Sequence, residues 1–167
     1  IDPATEVTIA HLTEATADEV ERAVAAAARA QKDWWALGAL DRANALHRVA
    51  ARLVEMAPLA GECLTREMGK PYRESHWEIG ASASSFRCYA ELARHDQGRV
   101  SGPVIAGQVQ MTIKDPLGAV FSIVPFNFPV LLFGWQCAAA LAAGNAVIVK
   151  PSELTSTSTL LLARLAT

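Results

Sequence analysis

Apolar and polar positions repeat with a helical period through the first half of the chain and then change period. Val20, Ala23, Val24, Ala27, Ala30 and Trp34 share one face of a helix. Thr16-Ala-Asp-Glu19 is a capping box that opens it, and Gly38 is expected to end it. Leu46, Val49, Ala50, Leu53 and Val54 mark a second helix from about Asp41 to Met56. Pro58 predicts the start of a short third helix, since proline suits the first helical position, and Gly69 closes it before Pro71. A fourth helix, from about Tyr72 to Arg94, carries Ile79, Ala83, Phe86, Ala90 and Ala93 on its apolar face, with Gly98 as its stop. Gly80 inside it costs about 1 kcal/mol against alanine, which predicts a closely packed neighbour. Residues 1–15 read as an irregular or extended arm.

From Arg99 the period shortens. Val109, Met111 and Ile113 alternate with Gln108, Gln110, Thr112 and Lys114 around Gly107, an extended pattern with one wet and one dry face. Asp115-Pro-Leu-Gly118 is a turn. Two continuous apolar runs follow, Ala119 to Val124 and Ala146 to Val149, separated by the nearly all-apolar stretch Pro129 to Ala143 and by Gly144-Asn145. Continuous apolar runs bounded by turn residues predict strands buried on both faces of a parallel sheet, joined as a βαβ unit. Thr155 to Thr159 offers N-cap candidates for a last helix, Leu160 to Leu165. The predicted class is α/β, and two parallel strands with the start of another crossover make an incomplete doubly wound sheet. The chain is expected to be cut at both ends, since it also opens without Met.

Composition narrows the function classes. Hydrophobic residues make up 51%, ample for a core, and charged residues 19%. The formal net charge of −2 argues against a nucleic-acid surface. The run Val130 to Ala143 is too short to span a membrane, and no signal peptide is visible. Cys63, Cys88 and Cys137 have neither metal spacing nor the even count of a disulfide framework, so a reducing cytoplasm is the default. No metal is expected. His11, His47, His76 and His95 are scattered, and the Trp34-Trp35 pair reads as helix packing.

In parallel sheets ligands sit beyond the carboxyl ends of the strands. Those ends are Pro125-Phe126-Asn127 and Lys150-Pro151-Ser152-Glu153, two polar clusters placed side by side. Spacing alone favours a bland role for Asn127, shaping the turn before Pro129. Lys150 reads equally as a solvated strand end, and Glu153 as a first-turn acid near a helix N-terminus.

The motifs add a further reading. Pro125-Phe-Asn-Phe-Pro129, Gly144-Asn145 and Lys150-Pro-Ser-Glu153 resemble those of the aldehyde dehydrogenase superfamily. Upstream, Asp2-Pro-Ala-Thr5 resembles its Asn-Pro-Ala-Thr opening, and Arg66-Glu-Met-Gly-Lys-Pro71 its Glu-x-Gly-Lys-Pro segment. The resemblance covers essentially the whole chain and corresponds to the N-terminal portion of a member. It implies helices of the cofactor-binding domain over 1–98, a β arm of the oligomerisation domain over 99–116, and the truncated start of a Rossmann-like NAD-binding sheet over 117–167.

It also implies roles. The enzymes oxidise an aldehyde to an acid through a cysteine thiohemiacetal, and Asn127 would donate a side-chain N–H to its oxyanion. Lys150 and Glu153 would hold the adenosine ribose of the cofactor, with Ser152 also in the cofactor site. Ile123, Val124, Pro125 and Phe126 would line the cofactor and substrate channel. Glu153 would repel a 2′-phosphate, so NAD is expected over NADP. The partners implied are a small aldehyde and further copies of the chain, as a homodimer or homotetramer. The catalytic Cys, the general-base Glu and the Gly-x-x-x-x-Gly loop of the family all fall beyond residue 167, so the chain alone is expected to be inactive. None of its cysteines has an environment that lowers a thiol pKa. Two alternatives accompany this reading. One is a non-catalytic fragment or degenerate subunit acting through the arm by β-augmentation. The other is a semialdehyde dehydrogenase that passes the acyl group to coenzyme A, suggested by Phe126 where many members have Trp.

Overall fold

A computed structural model of the protein describes residues 1–95 and 98–164. Among the described residues, nine elements follow the irregular opening: α1 (Ala17–Ala36), α2 (Ala39–Met68), α3 (Tyr72–Leu92), β1 (Arg99–Ser101), β2 (Gln110–Thr112), β3 (Ala119–Ile123), α4 (Pro129–Ala142), β4 (Ala146–Lys150) and α5 (Ser156–Ala163). The class is α/β, as the sequence predicts.

The capping box at Thr16 forms. The Thr16 side chain accepts from Glu19 N at 3.3 Å, and Thr16 N donates back to the Glu19 carboxylate at 2.8 Å. Gly38 does not end α1 by a left-handed turn. Its φ is −62° and it serves as N-cap of α2, with Leu37 closing α1. The second and third predicted helices are one, because α2 runs straight through Pro58. Pro58 faces solvent, while Leu53, Ala57, Ala60, Gly61 and Leu64 are buried. Burial on the inner face therefore outweighs the roughly 3 kcal/mol that proline costs inside a helix. Gly69, with φ 85°, ends α2 as predicted and donates to Thr65 O at 2.9 Å. The close neighbours lie elsewhere than at Gly80, beside which a methyl group would meet nothing within 4 Å. At Gly134 on α4 such a group would lie 2.9 Å from Ser82 Cα, so this glycine sets how closely α3 and α4 approach.

Helices α2, α3 and α4 enclose the core around Leu46, Leu53, Leu64, Ile79, Phe86, Val130 and Phe133. Strands β3 and β4 pair in parallel, from Ala119 with Ala146 to Ile123 with Lys150, and α4 is their crossover. Val147 and Val149 pack against the core. Burial of both faces is not met: Phe121 and Ile123 are 51% and 62% exposed, because α1 covers the other face mainly over β4. α1 itself buries no residue fully, and Val20 and Val24 stay exposed. Trp34 and Trp35 do pack: Trp34 Nε1 donates to Leu141 O at 2.8 Å, and Trp35 lies against Gly144.

β1 and β2 form an antiparallel ribbon, with Val100 opposite Met111. The predicted dry face is absent from the described residues. Val100, Val109, Met111 and Ile113 are all exposed, since no described element is layered on the ribbon. α5 begins at Ser156, four positions before the predicted Leu160, with Thr155 as N-cap, and Leu165, its predicted end, lies outside the described residues. No described helix is long and apolar enough to cross a membrane.

Candidate active-site and cofactor edge

The parallel register brings the two polar clusters together. Ile123 is level with Lys150, and Val124 N donates to Lys150 O at 3.1 Å. Pro125, Phe126 and Asn127 leave the end of β3 on the exposed edge, with Phe126 half-exposed. Ile123 is exposed. Val124 is buried in the core, so its backbone is what it can offer a ligand.

The loop carrying Asn127 is held from below by two residues of the helical layer. Lys70 follows the left-handed turn at Gly69, and its side chain is only 6% exposed. Its ammonium donates to the Asn127 carbonyl at 2.9 Å, pairs with the Glu78 carboxylate, and lies 4.2 Å from the centroid of the Phe128 ring. Glu78 is fully buried on α3. Its other oxygen accepts from Val130 N at 2.8 Å and Leu131 N at 3.0 Å. These are first-turn N–H groups of α4 that have no partner within the helix, and Phe128 at the N-cap supplies no side-chain acceptor. Glu78 thus caps α4 from another helix, where the helix dipole favours a negative charge.

Glu67, on α2, does the same for α5. It accepts from Thr157 N at 2.8 Å, from Ser158 N at 3.0 Å and from the Ser158 hydroxyl. The helices that follow both strands therefore have carboxylates of this chain at the sites where a phosphate would otherwise find donors. Neither Glu67 nor Glu78 reads as a cap in sequence, because each partner lies at least 52 residues away. The available signal is a charged residue on the same face as Ile79, Ser82 and Phe86.

At the end of β4, Lys150 Nζ lies 3.6 Å from Glu153 Oε2, with both side chains largely in water. The Glu153 carboxyl is held below its ordinary value, chiefly by its own backbone N–H and then by the Lys150 charge. Ser152 is buried, and its hydroxyl accepts from Leu154 N at 3.3 Å, so it shapes the turn. Burial pushes the Cys137 thiol up to about 12. Burial, with Glu67 and Glu62 nearby, pushes Cys63 up to about 11. Neither is poised as a thiolate nucleophile. A groove of about 590 Å³ opens beside the first turns of α4, between His76, Trp77 and Ser84 on α3 and Leu131 and Trp135 on α4.

The sequence model of the aldehyde dehydrogenase family matches residues 1–167. The chain belongs to the aldehyde dehydrogenase family. It is 40% identical to the peroxisomal aminoaldehyde dehydrogenase 1 of Malus domestica, over 98% of this chain and 34% of that protein. Its fold matches betaine aldehyde dehydrogenase of Staphylococcus aureus in complex with NAD+, with TM-score 0.95 and 30% identity, over 99% of this chain and 34% of that one. It also matches an NADP-dependent enzyme of E. coli, with TM-score 0.96 and 33% identity, over 99% and 34% respectively. This aldehyde dehydrogenase chain thus spans about a third of the length of the relatives it matches.

Proposed function

We propose that this chain is the N-terminal portion of an NAD(P)-dependent aldehyde dehydrogenase, and that it supplies the oxyanion donor and one end of the cofactor site. The observation that carries the reading is the placement of Asn127 and of Lys150 with Glu153 at the same carboxyl edge of β3 and β4. Asn127 is exposed there, with its backbone carbonyl tied inward to Lys70. Its side-chain amide donates without needing a particular protonation state. Aimed at the oxygen of a tetrahedral intermediate, one such donor contributes about 2.7–4 kcal/mol to the transition state.

The residues at the end of β4 fit a nicotinamide dinucleotide at its ribose. Glu153 is ionised at neutral pH and can accept from ribose hydroxyls, as acidic residues do in other dinucleotide sites. Lys150 beside it can donate. Ile123, Pro125 and Phe126 offer exposed surface on the same edge, and Ser152 holds the turn. The cofactor, when bound, accepts hydride from the substrate carbon. The first turns of α4 and α5 already carry Glu78 and Glu67, which fits contact through the strand end and not through those helix termini. The Glu153 carboxylate favours NAD over NADP by repelling a 2′-phosphate.

The nucleophilic cysteine and the general base belong to sequence outside this chain, and the 167 residues alone do not oxidise aldehydes. The groove between Trp77 and Trp135 is a route for the aldehyde. Both indoles are more than half exposed, and indole faces attract cations, which suits the cationic aldehydes named in the relatives. The divisions 1–98, 99–116 and 117–167 then serve as helical layer, oligomerisation arm and cofactor sheet of a homodimer or homotetramer.

The intact protein, incubated with betaine aldehyde or an aminoaldehyde and either NAD or NADP, should reduce NAD preferentially and only when aldehyde is present. Aldehyde-independent reduction, or none with any aldehyde, would overturn the reading. Adding coenzyme A distinguishes acyl transfer from hydrolysis, which should proceed without it.

A further inference from the structure

We infer that the buried pair Lys70–Glu78 positions Asn127 for the reaction and is more than a stabilising ion pair. The inference rests on the oxyanion role proposed for Asn127. The pair grips the chain on both sides of Pro129, at the loop residue Asn127 and in the first turn of α4. Lys70 Nζ takes the Asn127 carbonyl at 2.9 Å, and Glu78 takes the amides of Val130 at 2.8 Å and Leu131 at 3.0 Å. The Lys70–Glu78 contact joins the two grips into one unit, and the Phe128 ring, 4.2 Å away, closes the remaining side of the ammonium.

The side chain of Lys70 is 6% exposed and that of Glu78 fully buried, so both charges sit largely out of water. The grip falls on the main chain of residue 127 and on the amides of 130 and 131. It leaves the Asn127 side chain on the exposed edge, with its amide available to a ligand. With its carbonyl fixed inward, the peptide of Asn127 cannot rotate without breaking a part-buried, charge-assisted hydrogen bond. Catalytic donors lose effect steeply when displaced by about 1 Å. Besides joining the end of α2 to α3, the pair therefore reaches Asn127 and the first turn of α4.

The test uses the intact enzyme and four forms: parent, Asn127→Ala, Lys70→Met/Glu78→Gln, and the triple variant. The double variant removes both charges together, so no buried charge is stranded, while the glutamine oxygen still accepts from Val130 and Leu131. Lys70→Met alone, which releases the Asn127 carbonyl and leaves Glu78 on its two amides, is the second variant. All are assayed at a temperature where melting curves show them folded. Asn127→Ala should lower kcat by about 10²–10³-fold. The double variant should lower kcat by about 10–100-fold without changing KM for NAD, and the triple variant should match Asn127→Ala. The inference is overturned if a folded double variant keeps parental kcat, or if its loss multiplies in full with that of Asn127→Ala. If only Lys70→Met folds, parental kcat in that variant overturns it equally. Parental turnover in Asn127→Ala would overturn the oxyanion reading itself, a result distinct from failure of the pair alone.

Discussion

At the scale of residues, the proposed site divides into groups assigned to touch ligands and groups that hold them. The strand-end positions of Asn127, Lys150 and Glu153 were legible in sequence, while the roles proposed for them rest on the resemblance of their motifs. Lys70 and Glu78 were not legible as partners, since periodicity reports which face a residue occupies and not what lies across from it. Glu153 gives a prediction at this scale. Its carboxyl is held below the ordinary 4.5, so it is more than half ionised at 4.5 and fully so at neutral pH. Any loss of NAD affinity in the intact protein that comes from its protonation should therefore be centred below 4.5, as read by equilibrium titration. A loss centred above 4.5 would contradict the assignment. Glu153→Gln should raise the ratio of NADP to NAD affinity by about tenfold, which is 1.4 kcal/mol.

Elements show where local rules yield to packing. Pro58 was read as a helix start because proline usually marks one, yet the buried stripe from Leu53 to Leu64 carries α2 through it. The proline costs about 3 kcal/mol in a helix interior and returns about 0.4–1 kcal/mol by restricting the unfolded chain. Pro58→Ala should then stabilise the protein by about 2 kcal/mol, seen as a higher denaturant midpoint; an unchanged midpoint would mean that α2 is already relaxed around the ring. Gly134 is the opposite case. It reads as one more small residue in an apolar helix, but a methyl group there meets Ser82 on α3. Gly134→Ala should destabilise by about 1–3 kcal/mol, whereas Gly80→Ala, with open space beside it, should gain about 1 kcal/mol from helix propensity.

On the scale of the whole molecule, the sequence carried the βαβ unit and the helical layer but overstated burial. Phe121 and Ile123 on the sheet, Val20 and Val24 on α1, and Val100, Val109 and Met111 on the ribbon all remain exposed. These positions are apolar in pattern yet uncovered among the described residues, in a chain that spans about a third of the length of its relatives. The ribbon fits the proposed role of an arm that meets another subunit. Val100→Asp with Met111→Asp, on paired positions, should shift the intact protein to a smaller assembly in sedimentation; an unchanged mass would remove the ribbon from the interface.

The central claim is that Asn127 acts on the reacting oxygen while Lys150 and Glu153 hold the cofactor. Steady-state turnover of Asn127→Ala in the intact enzyme, measured beside its affinity for NAD, tests it most directly. The account predicts kcat reduced by about 10²–10³-fold with NAD affinity within twofold of the parent. Parental turnover, or a loss of NAD affinity that accounts for the lost activity, would contradict it.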